Sequence, residues 1–182
     1  MQPIKKKVEI LIDSASLILT YSAGLLPDVT RCYDLLIPSS VYEEITVKDK
    51  PGAAHFQELR VRRAFQVLVY PADSPKMIEN QKTDLLKMGR GERDLLILYL
   101  AGCGSFPVVD DLQAVRFCVR HDIPFINALL LPKILHWAAV ISAEEACTYL
   151  SNIERRGHYS GSVLERARTF KALDLRQFFP WT

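Results

Sequence analysis

A short apolar run that ends on a polar or acidic residue and hands over to helical spacing recurs along this chain, and that recurrence limits the folds open to it. Val8-Glu9-Ile10-Leu11-Ile12 is β-branched and apolar, with lysines before it and Asp13-Ser14 after it. This is the pattern of a buried strand feeding a helix. Leu17, Ile18, Tyr21 and Leu25 follow at helical spacing, which predicts a helix from Ser14 to about Leu26 that stops near Pro27. Asp34-Leu35-Leu36-Ile37-Pro38 repeats the theme, with Ser39-Ser40 opening a helix through Val41 to Ile45. After the break at Lys48-Asp49-Lys50-Pro51-Gly52, a helix from Ala53 to Arg63 leads to a strand from Phe65 to Tyr70.

Pro71 to Thr83 is polar and turn-rich and reads as a loop. Gly89-Arg90-Gly91-Glu92 then starts a strongly apolar helix, and Phe106-Pro107-Val108-Val109 gives a fourth strand ending at Asp110-Asp111. A helix from Leu112 to about His121, a strand from Ile123 to Ile126 and a helix from Leu129 to Ala138 continue the alternation. The fold class predicted is α/β, a three-layer α/β/α sandwich with a central, mainly parallel sheet. Two further helices, Ala143 to Arg156 and Ser162 to Leu173, are expected to pack on its outside. At 182 residues, 49% hydrophobic and without an internal repeat or linker, the sequence predicts a single domain over residues 1–182.

A formal net charge of +2 rules out non-specific electrostatic capture of nucleic acid by the whole molecule, so binding would rest on local patches. Cys32, Cys103, Cys118 and Cys147 are widely spaced without a C-x-x-C, as expected of small reduced hydrophobes. The apolar run after Lys5-Lys6-Lys7 is too short for a membrane span or signal core, and the lysines read as a solvated terminus; a cytoplasmic protein without membrane contact is expected. There is no phosphate loop, no G-x-S-x-G elbow and no histidine pair at metal spacing.

What stands out is a set of acids. Asp13, Glu44, Glu92 and Asp110 each fall at a strand exit or in an adjoining helix, the end of a parallel sheet where ligands collect. Singly, each has a structural reading: Asp13 and Asp111 as helix N-caps, Glu43 and Glu44 as a solvated face, Glu92 as a first-turn acid. Jointly they suit a hard divalent cation, Mg²⁺ or Mn²⁺, and metal-assisted hydrolysis of a phosphodiester. A phosphatase using Asp13 as nucleophile would want a second Asp where Ala15 stands.

Ile10-Leu11-Ile12-Asp13-Ser14, Ile37 to Ile45, Gly89-Arg90-Gly91-Glu92 and Val108-Val109-Asp110-Asp111 resemble, in order and spacing, the acidic motifs of PIN-domain proteins. The resemblance runs from about Val8 to Leu135, and the final helices resemble the tail of VapC-like, predicted nucleic-acid-binding PIN nucleases. It implies a parallel sheet between helices and an endoribonuclease acting on single-stranded RNA with Mg²⁺ or Mn²⁺. A VapC-like chain would also be the toxin of a toxin–antitoxin pair, partnered by an antitoxin protein. By motif position Asp13, Glu44, Glu92 and Asp110 are the catalytic acids, with Asp13, Glu92, Asp110 and Asp111 as metal ligands and Arg90 and Arg93 as holders of substrate phosphate. The alternative is a non-catalytic PIN-like nucleic-acid-binding or scaffold module.

Two departures from the family pattern bear on the site. The Ser or Thr often found before the fourth acid is replaced by Val108 and Val109, so support for Asp110 must come from elsewhere. Apolar Asn127-Ala128-Leu129-Leu130-Leu131-Pro132 stands where relatives carry glycines. The apolar residues Leu129 to Leu131, Ile134, Leu135, Trp137 and Val140, with Phe178-Phe179-Pro180-Trp181, predict a homodimer surface.

Overall fold

Strand β1 (Val8–Ile12) lies between β2 (Tyr33–Pro38) and β4 (Phe106–Val108), with β3 (Phe65–Leu68) beyond β2, and every pairing is parallel. The computed structural model describes residues 7–48, 52–69 and 82–181. Helices α1 (Ser14–Ser22), α2 (Leu26–Cys32), α3 (Ser39–Ile45), α4 (Ala53–Val61), α5 (Lys82–Leu85), α6 (Arg90–Leu100), α7 (Leu112–Arg120), α8 (Leu131–Trp137), α9 (Ala143–Arg156) and α10 (Gly161–Thr169) surround this sheet.

Successive strand residues point to opposite faces, so each strand feeds two cores. Ile10 and Ile12 of β1, Leu35 and Ile37 of β2 and Phe106 and Val108 of β4 join Leu17, Val29, Val41, Ile134 and Ile153 on one side. Leu11 and Leu36 join Leu95, Leu96, Leu98, Phe117 and Cys118 on the other. The fold is therefore the expected three-layer α/β/α sandwich, with α6 and α7 on one face of the sheet and α1, α2, α3, α8 and α9 on the other.

Four local readings of the sequence are corrected. Ile123 to Ile126 forms only a single parallel bridge, Val108 with Ile126, because Pro124 has no N–H to donate and the chain turns at Asn127. The helix expected over residues 14–26 is two: Gly24 adopts φ +84°, the Gly24 amide donates to the Tyr21 carbonyl and that of Leu25 to Thr20, closing α1. Pro27 then occupies the first turn of α2, where its missing N–H costs nothing, instead of stopping α1. The helix expected from Leu129 begins as a 3-10 turn, Ala128–Leu130, and becomes α-helical at Leu131 with Pro132 in its first turn. The last helix stops at Thr169 rather than Leu173.

Several readings fall on residues 1–6, 49–51 and 70–81, among them Lys5, Lys6, the Asp49-Lys50-Pro51 break, Tyr70 and most of the Pro71 to Thr83 loop, and lie outside the described residues. The end of that loop, Lys82 and Thr83, belongs to α5. Lys7 is not frayed: its Nζ donates to the Thr30 carbonyl at 2.9 Å.

Much of the surface expected for a homodimer is covered from within the chain, while Trp137, Val140, Phe179 and Trp181 stay half-buried. Leu129, Leu131, Ile134 and Leu135 are fully buried and Leu130 nearly so. Phe178 is buried as well, edge-on to Phe106 with ring centroids 4.9 Å apart, and its carbonyl accepts from the Tyr33 hydroxyl at 2.6 Å. The Lys133 Nζ donates to the carbonyls of Ala167, Arg168 and Phe170 at 2.6, 3.3 and 3.5 Å, closing the C-terminal end of α10. Among the described residues no helix is long and apolar enough to cross a membrane.

Candidate active site

Strand order reverses at β1, since the chain adds β2 and β3 on one side and returns to place β4 on the other. In open parallel sheets the crevice at such a switch point, beyond the carboxyl ends of the strands, is where ligands bind. Asp13 follows β1 directly and Asp110 lies two residues beyond Val108, the last residue of β4. The Asp13 amide donates to the Val108 carbonyl at 3.1 Å, extending the ladder past the strands and fixing the two acids side by side.

Asp13 is the N-cap of α1: its Oδ1 accepts from the Ser16 amide at 2.6 Å. Its second oxygen does something a cap does not require, accepting the Asp110 amide at 3.0 Å. Asp110 is held by three donors. Its Oδ2 accepts from the Ser16 hydroxyl at 2.7 Å and the Ala128 amide at 3.0 Å, and its Oδ1 from the Tyr159 hydroxyl at 2.5 Å. The support missing from Val108 and Val109 is thus supplied by α1, by the apolar turn after Ile126 and by the segment between α9 and α10.

Five hydrogen bonds converge on these two carboxylates, and in each the acid is the acceptor, an arrangement built for the ionised form. The surroundings oppose that charge. Burial first, and then the charge of Asp110, push the Asp13 carboxyl up to about 7 against its donors. Burial likewise holds the Asp110 carboxyl above the usual carboxylate range despite Tyr159, Ser16 and Ala128. Burial, followed by the charge of Asp110, raises the Tyr159 phenol, so it remains a donor at neutral pH. Neither acid forms an ion pair with a Lys or Arg among the described residues.

The remaining acids form a second group. Burial raises the Glu92 carboxyl, its own amide opposes the shift, and the charges of Asp111 and Glu44 add to it, so these three share one field. Glu44 extends from α3 toward the first turn of α6, where a Cβ on Gly91 would lie 3.5 Å from its Oε2 and 3.2 Å from Val41 Cγ2. Asp111 caps α7, its Oδ1 accepting from the Gln113 and Ala114 amides at 2.7 and 3.0 Å. Among the described residues no group of three or more His, Cys, Asp or Glu is gathered closely enough to hold a metal ion. The structure therefore brings Asp13 to Asp110, and Glu92 into the field of Glu44 and Asp111, but does not join the two groups.

Arg90 is paired with Glu43, Nη1 to Oε2 at 2.8 Å, which separates the two neighbouring glutamates: Glu43 ties α3 to α6 while Glu44 faces Gly91. The Arg93 Nε lies 3.6 Å from Asp94 Oδ1. Sequence reading does not reach three groups: the Ser16 hydroxyl, the Ala128 amide and Tyr159. The Asp-x-x-Ser spacing signals the cap that Ser16 completes, but not the turn of its hydroxyl to Asp110. Nothing local signals Tyr159, 49 residues from Asp110.

A cavity of about 320 Å³ opens beside this pair between Ala15, Ile18 and Leu19 of α1 and Arg156 to Tyr159, with Asp110 in its wall. The residues fit a hard cation by donor chemistry. Two carboxylates are fixed by hydrogen bonds that suit the ionised form while burial and mutual repulsion oppose that form, an opposition a divalent ion at their free lone pairs would offset. A family model described as PIN domain matches residues 9–168 of the chain. No curated protein matches it.

Proposed function

The chain belongs to the PIN-domain family, and on that premise we propose that it is a divalent-metal-dependent endoribonuclease hydrolysing phosphodiester bonds of single-stranded RNA. PIN domains are in general nucleases, bind nucleic acid and typically use divalent metals. The observation that carries the reading is the cation-poor pair of buried Asp13 and half-buried Asp110 at the switch point of the sheet.

In this reading Asp13 and Asp110 would hold Mg²⁺ or Mn²⁺, and Glu92 and Asp111 would be further ligands only if the two acid groups are drawn together. The ion supplies Lewis-acid polarisation of the phosphate and lowers the pKa of an attacking water. Glu44 orients that water or adds to the negative field that retains the cation. Arg90 and Arg93 exchange carboxylate partners for the phosphates of the RNA on either side of the cut.

Purified chain is expected to cleave single-stranded RNA with Mg²⁺ or Mn²⁺ and to lose that activity in a chelator. Cleavage unchanged by excess chelator rules out the metal reading. A non-catalytic nucleic-acid-binding or scaffold module is the second reading, favoured by the lack of a three-residue metal group among the described residues. Its result is RNA binding without cleavage under every metal tried. A toxin role, an antitoxin partner, a cytoplasmic location and a homodimer belong to the first reading on the resemblance to VapC-like chains, and a small abutting reading frame would support the toxin.

A further inference from the structure

We infer that Tyr159 is a positioning residue of the acid site: its hydroxyl fixes the orientation in which Asp110 meets a divalent cation, so that the segment between α9 and α10 is part of the site. The inference rests on the metal-dependent reading above and adds a residue to it from a region the acidic motifs do not touch.

A carboxylate oxygen offers two in-plane lone-pair directions. Both directions of Asp110 Oδ2 are taken, by the Ser16 hydroxyl and the Ala128 amide. The Tyr159 hydroxyl takes one direction of Oδ1, at 2.5 Å, and leaves one open. Asp13 accepts one backbone amide on each oxygen, with the Ser16 hydroxyl also within its reach, and so is held from the protein side as Asp110 is. A cation entering between them can therefore be met by Asp110 only through Oδ1, in one geometry. Without the Tyr159 bond, Oδ1 has two free directions and nothing to choose between them.

The ring is placed as tightly as the hydroxyl. Gly157 follows α9, and a Cβ built on it would overlap the Tyr159 ring, so the absence of a side chain at 157 is what lets the ring lie against the backbone. The ring is partly buried and packs against the core of the α1 face. It also lines the cavity beside Asp110 with Ala15, Ile18 and Leu19, so it stands at an approach to the acid pair. Bonds that orient ligating carboxylates typically govern metal affinity by about 10- to 100-fold.

The test is binding of Mn²⁺ alone to the full chain, followed through the loss of the free-ion electron paramagnetic resonance signal, beside RNA cleavage. Tyr159→Phe keeps the ring and removes only the hydroxyl; it is expected to weaken Mn²⁺ binding about tenfold and to lower kcat with KM for RNA unchanged. Gly157→Ala, which displaces the ring with its hydroxyl intact, is expected to weaken Mn²⁺ binding likewise. Tyr149→Phe removes another Tyr–Asp bond, to Asp28 Oδ2 at 3.0 Å, and should leave Mn²⁺ binding unchanged. If Tyr159→Phe binds Mn²⁺ as the unaltered chain does, or more tightly, Tyr159 does not position Asp110 and the inference fails while the proposed function stands. If the unaltered chain binds no Mn²⁺, both fail together.

Discussion

The backbone N–H of Asp110 donates to Oδ2 of Asp13 at 3.0 Å across 97 residues of sequence, tying the ends of β4 and β1 through the two acids themselves. Neither carboxylate can leave its place without undoing part of the switch-point crevice, and neither can ionise without meeting the other's charge. Stability and metal chemistry are thereby coupled in one pair.

That coupling sets the pH dependence of the metal-free protein. The Asp13 carboxyl titrates at about 7 when folded, against an ordinary value near 3.9 when unfolded. Between those values the folded state binds the extra proton, so stability is greatest at the acid end and falls as pH rises from about 4 through 7. The shifts of Asp110 and Glu92 act in the same direction. Urea unfolding without metal should show the chain less stable at pH 8 than at pH 5, by on the order of 2–4 kcal/mol. Mg²⁺ or Mn²⁺ at pH 8 should restore the loss, and Asp13→Asn should flatten the slope while abolishing cleavage. A chain that gains stability from pH 5 to 8 without metal would contradict the assignment.

Asp111 separates capping from charge. Replacing it by Ala removes the oxygen that caps the Gln113 and Ala114 amides and should cost about 1 kcal/mol. Replacing it by Asn keeps the cap and removes the charge beside Glu92. If Asp110 is the principal ligand, Asp111→Asn cleaves RNA at a rate reduced several-fold at most, while Asp110→Asn is inactive. Equal loss in both would give Asp111 the same standing as Asp110.

Gly89→Ala tests Glu92 without touching it. A Cβ at 89 would overlap the Glu92 carboxylate, the end of a flexible side chain, so the carboxylate swings aside and the helix stays. The expected stability change is under about 1 kcal/mol, with cleavage falling sharply if Glu92 serves the site. Cleavage at the normal rate would leave Glu92 as a first-turn acid complementing the dipole of α6.

How much of this was legible in the sequence depends on distance along the chain. The strands were, because short continuous β-branched apolar runs such as Ile10-Leu11-Ile12 carry their own signal, and the caps at Asp13 and Asp111 were, because a cap and its amides lie within three residues. The Ile123 to Ile126 strand failed because its apolar pattern says nothing of the donor that Pro124 lacks. The split of α1 from α2 was written at Gly24 but outweighed by the periodicity running through Leu25. The support of Asp110 by Ser16, Ala128 and Tyr159 joins three distant segments, a relation that composition and spacing do not encode. The same holds for the apolar helix at Leu131–Trp137: the sequence shows that it must be covered, and the fold shows by what.

That cover gives the last prediction. Phe178 is 5% exposed, packs edge-on against Phe106 and presents its carbonyl to the hydroxyl of Tyr33, a residue 1% exposed. Its burial is complete within one chain, so Phe178→Ala should cost about 3–5 kcal/mol through the lost transfer energy and the cavity left behind. The size of this loss should be independent of protein concentration, because no second copy is needed to cover the residue, and a homodimer formed through another surface should persist in Phe178→Ala. The competing account, in which the aromatic tail lies in a subunit interface, makes the opposite demand. The midpoint would then rise with protein concentration in the unaltered chain, and Phe178→Ala would remove that dependence together with the dimer mass seen by light scattering. Unfolding curves collected over a hundredfold range of concentration decide between them, and a concentration-dependent midpoint abolished by Phe178→Ala would return the tail to the surface.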